Sequence, residues 1–279
     1  MRCARVPAGG RFVGWGDEIM AAGQARALQE RDPRKVAVMD AAGRVRWHPA
    51  WQGNPRIATP RAAGHGDVQR LKNGPGCRPY VDYERMRCEF ARVYPGRPFT
   101  TKVLVSRLPW RFTDWRVEPG EIYARRAPRR GDVVVVEPHL KSGASPNKQW
   151  GWARWQDLVS RMDVAWVQLG PPGTRLLNGV RHVPTATFLE ACSVMSGARA
   201  AVLPEGGLHH AAAALGVRAV VIFGGRSSPA NLGYEGHVNL FDPSNGESPC
   251  GQSAACAHCA RAMARIAPAD VAQYLEALL

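Results

Sequence analysis

The chain has 279 residues, 45% of them hydrophobic, with 37 basic against 23 acidic side chains and a formal net charge of +14. That length can bury a sizeable core and hold two ordinary domains; no apolar run nears the roughly 20 residues of a membrane span and no hydrophobic leader opens the chain, so a soluble, cytoplasmic protein is expected. Seven scattered cysteines argue against a disulfide scaffold, and the charge demands an anionic partner such as a nucleotide, a phosphorylated glycolipid surface or nucleic acid.

In chain order, residues 11–18 read as a glycine turn feeding a helix over 19–29, with Met20, Gly23, Ala27 and Leu28 at helical spacing. Residues 35–40 form a short strand closed by the turn Ala41-Ala42-Gly43. From 47 to 96 Pro, Gly and Arg are abundant and periodicity is weak, so no element is assigned there. Residues 116–132 carry Pro119, Pro128, two glycines and clustered arginines, the composition of an interdomain linker. They set a boundary near residue 130, with one domain over 1–130 and a second over 131–279.

The second half is regular. Residues 133–137 and 164–169 read as strands around a helix whose apolar face is Trp152, Trp155, Leu158, Val159 and Met162. Residues 200–203 form a strand, 208–215 a helix stopped by Gly216, and 217–223 the next strand. The last helix starts at Pro268 and is expected to bury Val271, Tyr274, Leu275 and Leu278. Strands alternating with helices give an α/β fold whose parallel sheet is covered on both faces.

The stretch Leu203-Pro204-Glu205-Gly206-Gly207-Leu208-His209-His210 concentrates the chemistry. It joins the carboxyl end of a buried strand to the first turn of a helix, where unpaired N–H groups favour an anion. Gly206 and Gly207 have no Cβ, so a diphosphate could approach the backbone closely.

Four stretches together resemble glycosyltransferase family nine, the ADP-heptose:lipopolysaccharide heptosyltransferases and their relatives: Gly14-Trp15-Gly16-Asp17-Glu18-Ile19-Met20, Pro146-Asn147-Lys148-Gln149-Trp150, residues 204–216, and the cysteine-bearing tail over 250–279. The resemblance implies a GT-B architecture, two Rossmann-like domains facing across a cleft, with the N-terminal domain reduced. It implies an inverting, metal-independent transfer of a sugar, heptose first, from a nucleoside diphosphate, ADP first, to an anionic acceptor such as phosphorylated lipopolysaccharide core. The donor is a co-substrate, so no cofactor and no metal are expected. Nucleic acid is the second choice of acceptor, and contact with a membrane surface accompanies the first.

By the same resemblance Asp17 is the general base on the acceptor hydroxyl, a role that needs a carboxylate. On residues alone it also suits the N-cap of a helix beginning near Glu18. Lys148 corresponds to the family lysine that meets the donor diphosphate and stabilises the departing nucleotide, with Lys141 a competitor on the same loop. Where the family has Asp-Thr/Ser-Gly followed by Leu/Pro-x-His, this chain has Glu205, Gly206 and Gly207, then Leu208, His209 and His210. These six, with Gly224 in the turn after the next strand, are the expected donor-binding set. Cys250, Cys256 and Cys259 enclose His258, but a second Cys-x2-Cys pair is missing, and buried thiols without metal are expected. No G-x-G-x-x-G or G-x4-G-K-S/T is present. A nucleotide-sugar epimerase, a DNA-modifying glycosyltransferase and a non-catalytic nucleotide-sugar binding protein are the alternatives.

Overall fold

The structure is a computed structural model that describes residues 14–74, 76–93, 95, 96, 98, 118–128, 132–242, 250 and 254–279. Helix α1 (Trp15–Gln29) starts ahead of the expected position. Gly14 is its N-cap, and Asp17, at the third helical position rather than the cap, accepts the Gly14 N–H at 3.1 Å. Residues 11–13 of the expected lead-in turn lie outside the described residues. Ala27 is exposed and Leu28 only half-buried, whereas Ile19, Met20, Ala21, Ala22 and Ala25 are all buried. The small side chains let α1 be enclosed on several sides.

Strand β1 (Val36–Met39) pairs in parallel with β2 (Gln69–Lys72). A 3-10 turn, Pro49–Trp51, and helix α2 (Pro60–His65) lie between them, and α3 (Tyr83–Val93) follows. These elements occupy the stretch that its weak periodicity left unassigned. Glu18 fixes α1 to this region: its buried carboxylate takes both guanidinium nitrogens of Arg46, at 2.6 and 2.8 Å, and the Asn73 amide at 3.0 Å.

The second sheet holds β3 (Val133–Val136), β4 (Ala165–Gly170), β5 (Arg181–Pro184), β6 (Ala200–Pro204), β7 (Ala219–Gly224) and β8 (His237–Phe241). Their order is β5-β4-β3-β6-β7-β8, every pair parallel. Helices α4 (Trp152–Arg161), α5 (Phe188–Ser196), α6 (Gly207–Leu215), α7 (Pro229–Leu232), α8 (Ala257–Arg265) and α9 (Pro268–Leu278) complete it. Parallel strands cannot be joined by hairpins, so helices cover both faces and the strands are apolar on both sides. Val135, Leu203, Val221 and Phe223 face one core, shared with Ala211 of α6 and with Ile19 and Met20 of α1. Val134, Val136, Val202 and Ile222 face the other, with Trp155, Leu158 and Leu275.

Tyr274 is a correction: it is 45% exposed, and Ala272 takes the buried place. At 100° per residue Val271, Ala272 and Leu275 fall on one side of α9, and Tyr274 points away from it.

Residues 118–128 run from one half to the other, bonded to both. Gly120 passes so close to α1 that a Cβ there would lie 2.0 Å from the Ile19 carbonyl oxygen. Arg26 donates to the Pro119 carbonyl at 2.9 Å, and Ala127 N–H donates to the Ser196 hydroxyl at 3.0 Å. The expected boundary near 130 and residues 116–117 of the expected linker lie outside the described residues. Among the described residues, no helix is long and apolar enough to cross a membrane.

Candidate active site

The strand order places a switch point between β3 and β6, because the chain runs outward one way through β4 and β5 and the other way through β7 and β8. At such a point the loops leaving the carboxyl ends diverge and leave a crevice suited to a nucleotide. Lys148 comes from the loop after β3, at the end of the 3-10 turn Pro146–Lys148 whose start is capped by the Ser145 hydroxyl. Glu205 comes directly after β6. Their side chains meet across the crevice at 2.5 Å. Ser227 donates to the same Glu205 oxygen at 3.3 Å, and Arg226 donates to Ser227 at 3.2 Å. Burial favours the neutral carboxyl, yet Lys148, Arg226 and His209 overcome it and hold Glu205 down at about 2. Burial draws the Lys148 ammonium below the ordinary lysine value, and Glu205 restores only part of it.

The turn into α6 divides the expected donor set into residues that face open space and residues that support them. Gly206 is open: a Cβ there would meet only the Pro204 carbonyl, 4.0 Å away. Gly207 is filled from the other side, where a Cβ would stand 3.3 Å from both Trp15 and Phe188. Those two rings stack with centroids 4.4 Å apart. On its Cβ side, Gly207 thus makes room for Trp15 of α1 and Phe188 of α5. Leu208 packs, partly buried, against the apolar core.

His209 is committed twice. Its Nδ1 accepts the Gly206 N–H at 2.8 Å, which leaves the proton on Nε2 to bond the Leu232 carbonyl at 3.0 Å. It is a neutral cap of α6, held below the usual histidine range by burial despite Glu205. His210 is buried between the helices, its Nδ1 2.7 Å from the Tyr234 hydroxyl and its ring so close to Gly16 that a Cβ there would lie 2.4 Å from Cδ2. Burial and the neighbouring His209 keep His210 well below the usual histidine value. Gly224 has φ +62° and turns the chain against Met263, whose Cε would be 2.6 Å from a Cβ. Its Cβ side packs on α8.

On the opposite wall, Asp17 accepts two hydrogen bonds, from the Gly14 N–H and from the Tyr80 hydroxyl on Oδ1, and its Oδ1 is ion-paired with the Arg78 guanidinium at 2.9 Å. Burial raises Tyr80 well above its usual value, so its hydroxyl keeps its proton and donates. Lys141, exposed, reaches the start of α1: a Cβ on Gly14 would sit 3.0 Å from Lys141 Nζ and 3.4 Å from Asp17 Oδ2. The two lysines therefore serve different walls, Lys141 near Asp17 and Lys148 on Glu205. Asp17 is also among the charges that act on Lys148. Arg78, Tyr80, Tyr234, Arg226 and Ser227 were not singled out by sequence. Arg78 and Tyr80 lie in the Pro- and Gly-rich stretch, where no periodic pattern marks them.

By sequence, the chain matches no protein-family model and no curated protein. By structure it is similar to the ADP-heptose lipopolysaccharide heptosyltransferase II of E. coli, with 18% identity over 96% of each chain and a TM-score of 0.56. It is similar also to E. coli heptosyltransferase WaaC crystallised with ADP, at 12% identity over 96% of this chain and 98% of that one, TM-score 0.52. A family 9 glycosyltransferase of Veillonella parvula aligns at 13% identity over 95% of this chain and 94% of its own, TM-score 0.58. The fold is GT-B. Among the described residues this GT-B fold has a six-stranded sheet, and the part before it contributes only β1 and β2 as strands.

Proposed function

We propose that the protein is an inverting glycosyltransferase that moves a sugar, heptose first, from a nucleoside diphosphate, ADP first, to an anionic acceptor. One observation carries this reading: Lys148 and the open Gly206 turn stand on one wall of the switch-point crevice, and Asp17 stands on the other. Lys148 and Arg226 against Glu205 leave one net positive charge beside the α6 N-terminus, a setting that favours a diphosphate. Charge grows on the departing diphosphate in the transition state, so a fixed ammonium lowers the barrier most there.

Asp17 acts as the base. A carboxylate offers about four acceptor positions. The Gly14 N–H and the Tyr80 hydroxyl use two of them, which leaves room for an acceptor hydroxyl. Tyr80 and Arg78 orient Asp17, and Tyr80, as a phenol that keeps its proton, does not compete as a base. Lys141, at the same wall, faces the anionic acceptor. A phosphorylated lipopolysaccharide core suits that wall and the chain's +14 charge; nucleic acid is the second choice.

ADP release from ADP-heptose tests the reading, with and without phosphorylated core acceptor, in wild type and Asp17→Asn. Acceptor-dependent release lost in the variant is expected. Conversion of donor alone into an isomer would make the protein an epimerase, and donor binding without turnover on any acceptor would make it a binding protein.

A further inference from the structure

Away from the crevice, the tail draws four donor side chains into one cluster. The ligand atoms of Cys250, Cys256, His258 and Cys259 all lie within 4.8 Å of one another. Cys250 Sγ is 3.7 Å from Cys256 Sγ and 2.9 Å from Cys259 Sγ, and Cys259 Sγ is 3.7 Å from His258 Nδ1. Sulfurs sharing a tetrahedral ion with bonds of about 2.3 Å stand about 3.8 Å apart, whereas a disulfide brings them to about 2.05 Å. Among the described residues these cysteines form no disulfide. The missing second Cys-x2-Cys pair, which made a metal unexpected from spacing, is supplied in space: Cys250 arrives from beyond β8 and His258 fills the fourth corner.

Supports around the cluster have the character of an outer shell. Cys256 caps α8, and its sulfur accepts the Cys259 N–H at 3.4 Å. The Cys256 N–H donates to the Asn147 side chain at 3.0 Å, and the Asn147 amide donates to the Ala254 carbonyl at 2.7 Å. The Cys250 N–H donates to the Gly225 carbonyl at 2.9 Å. The N–H···S bond and the helix N-terminus both favour thiolate charge, and outer partners of this kind fix ligand orientation.

We propose that Cys250, Cys256, His258 and Cys259 bind one thiophilic transition-metal ion, zinc or iron, in tetrahedral geometry. Three thiolates with one imidazole form a closed set that leaves no position for substrate, so the ion is structural. The thiols release their protons on binding. The ion ties the turn after β7 to the start of α8, and through Asn147 it braces the 3-10 turn that ends in Lys148.

The test is elemental analysis of full-length protein made without an affinity tag, followed by cobalt(II) exchange. About one zinc or iron per chain is expected, and cobalt should give intense tetrahedral d–d bands with thiolate-to-metal charge transfer. Cys256→Ser and His258→Ala should each lower the metal content and alter the cobalt spectrum, and the analysis distinguishes zinc from iron. Wild-type protein with neither metal nor a cobalt–thiolate band overturns the proposal. So does a Cys250–Cys259 disulfide found by mass spectrometry of the isolated protein, or metal content unchanged in both variants. Because none of these readouts needs turnover, they stand whatever the donor proves to be.

Discussion

Lys148, from the loop after β3, and Glu205, directly after β6, are ion-paired at 2.5 Å, with 16% and 5% of their side chains exposed. Removing one member of such a pair strands the other, whereas a neutral isostere removes charge and keeps shape.

The pair therefore predicts effects of opposite sign on donor binding. Lys148→Ala should weaken ADP binding by roughly 1.5–3 kcal/mol, the scale of a hydrogen bond to a charged group. Glu205→Gln should tighten it, because the variant removes a negative charge beside the diphosphate and frees Lys148. Calorimetric titration of ADP into both variants checks this. Weaker binding in both would make the pair a structural brace rather than an anion site.

Asp17→Asn should reduce turnover by roughly 10²–10⁴-fold, the range of general-base catalysis, while ADP affinity stays near wild type. The amide oxygen can still accept the Gly14 N–H, so helix α1 keeps its start. Tyr80→Phe should lose less and should raise KM for acceptor more than it lowers kcat, since it orients the base. Steady-state kinetics in both substrates separate the two. Equal loss in both variants would make Tyr80 a participant in the proton transfer.

The approach of residues 118–128 to α1 predicts that Gly120→Ala is severely destabilising. The added Cβ would sit 2.0 Å from the Ile19 carbonyl oxygen, a backbone atom that cannot rotate aside. Overpacking typically costs about 1–3 kcal/mol, and this contact belongs at or above the upper end. Gly64→Ala in α2 is the control: a Cβ there meets nothing within 4 Å, and alanine favours a helix interior by roughly 0.5–1 kcal/mol. Urea denaturation of both checks the contrast, and a Gly120→Ala midpoint equal to wild type would refute the close approach.

Acid should unfold the protein in two stages. Burial holds His209, His210 and His237 below the usual 6.5, His237 at about 4. An unfolded chain takes up these protons near 6.5 and the folded one resists, so their stabilisation is complete above 6.5 and declines as pH falls below it, for His237 down to about 4. The slope is about 1.4 kcal/mol per pH unit for each histidine. Glu205, held at about 2 against 4.5 unfolded, adds a second loss below 4.5. Glu18, raised by burial despite Arg46, offsets part of it. Stability measured from pH 8 to 4 should show the first loss, with a shallower slope in His237→Gln; a flat profile between 6.5 and 4.5 would contradict it.

What was legible in the sequence followed the physics of periodicity. Four valines at 133–136 and the alanine-rich turn of helix after Gly206 announce a parallel sheet because strands buried on both faces must be apolar throughout. Asp17, Lys148 and Glu205 were reached through short motifs, and the structure places them around one crevice. Arg78 and Tyr80 were not, because a side chain that leans on Asp17 from an irregular loop needs no repeat and no propensity. At Gly207 and Gly224 the space a Cβ would take is filled by Trp15 and Phe188 and by Met263, a packing reason for glycine that a sequence does not display. The cysteines show the converse. Their spacing argued against a shared centre, and only the fold shows Cys250 beside Cys256 and Cys259.

Ile19 and Met20 of α1 sit in the same apolar core as Leu203 and Phe223 of the large sheet. Each such side chain contributes roughly 1.5–3 kcal/mol by staying out of water. A wide hinge opening between the halves would pull both into solvent, and Gly120 would drag across the Ile19 carbonyl as it did so. The shared core therefore resists such an opening, and it sets the spacing between Asp17 and Lys148 whether or not a ligand is bound.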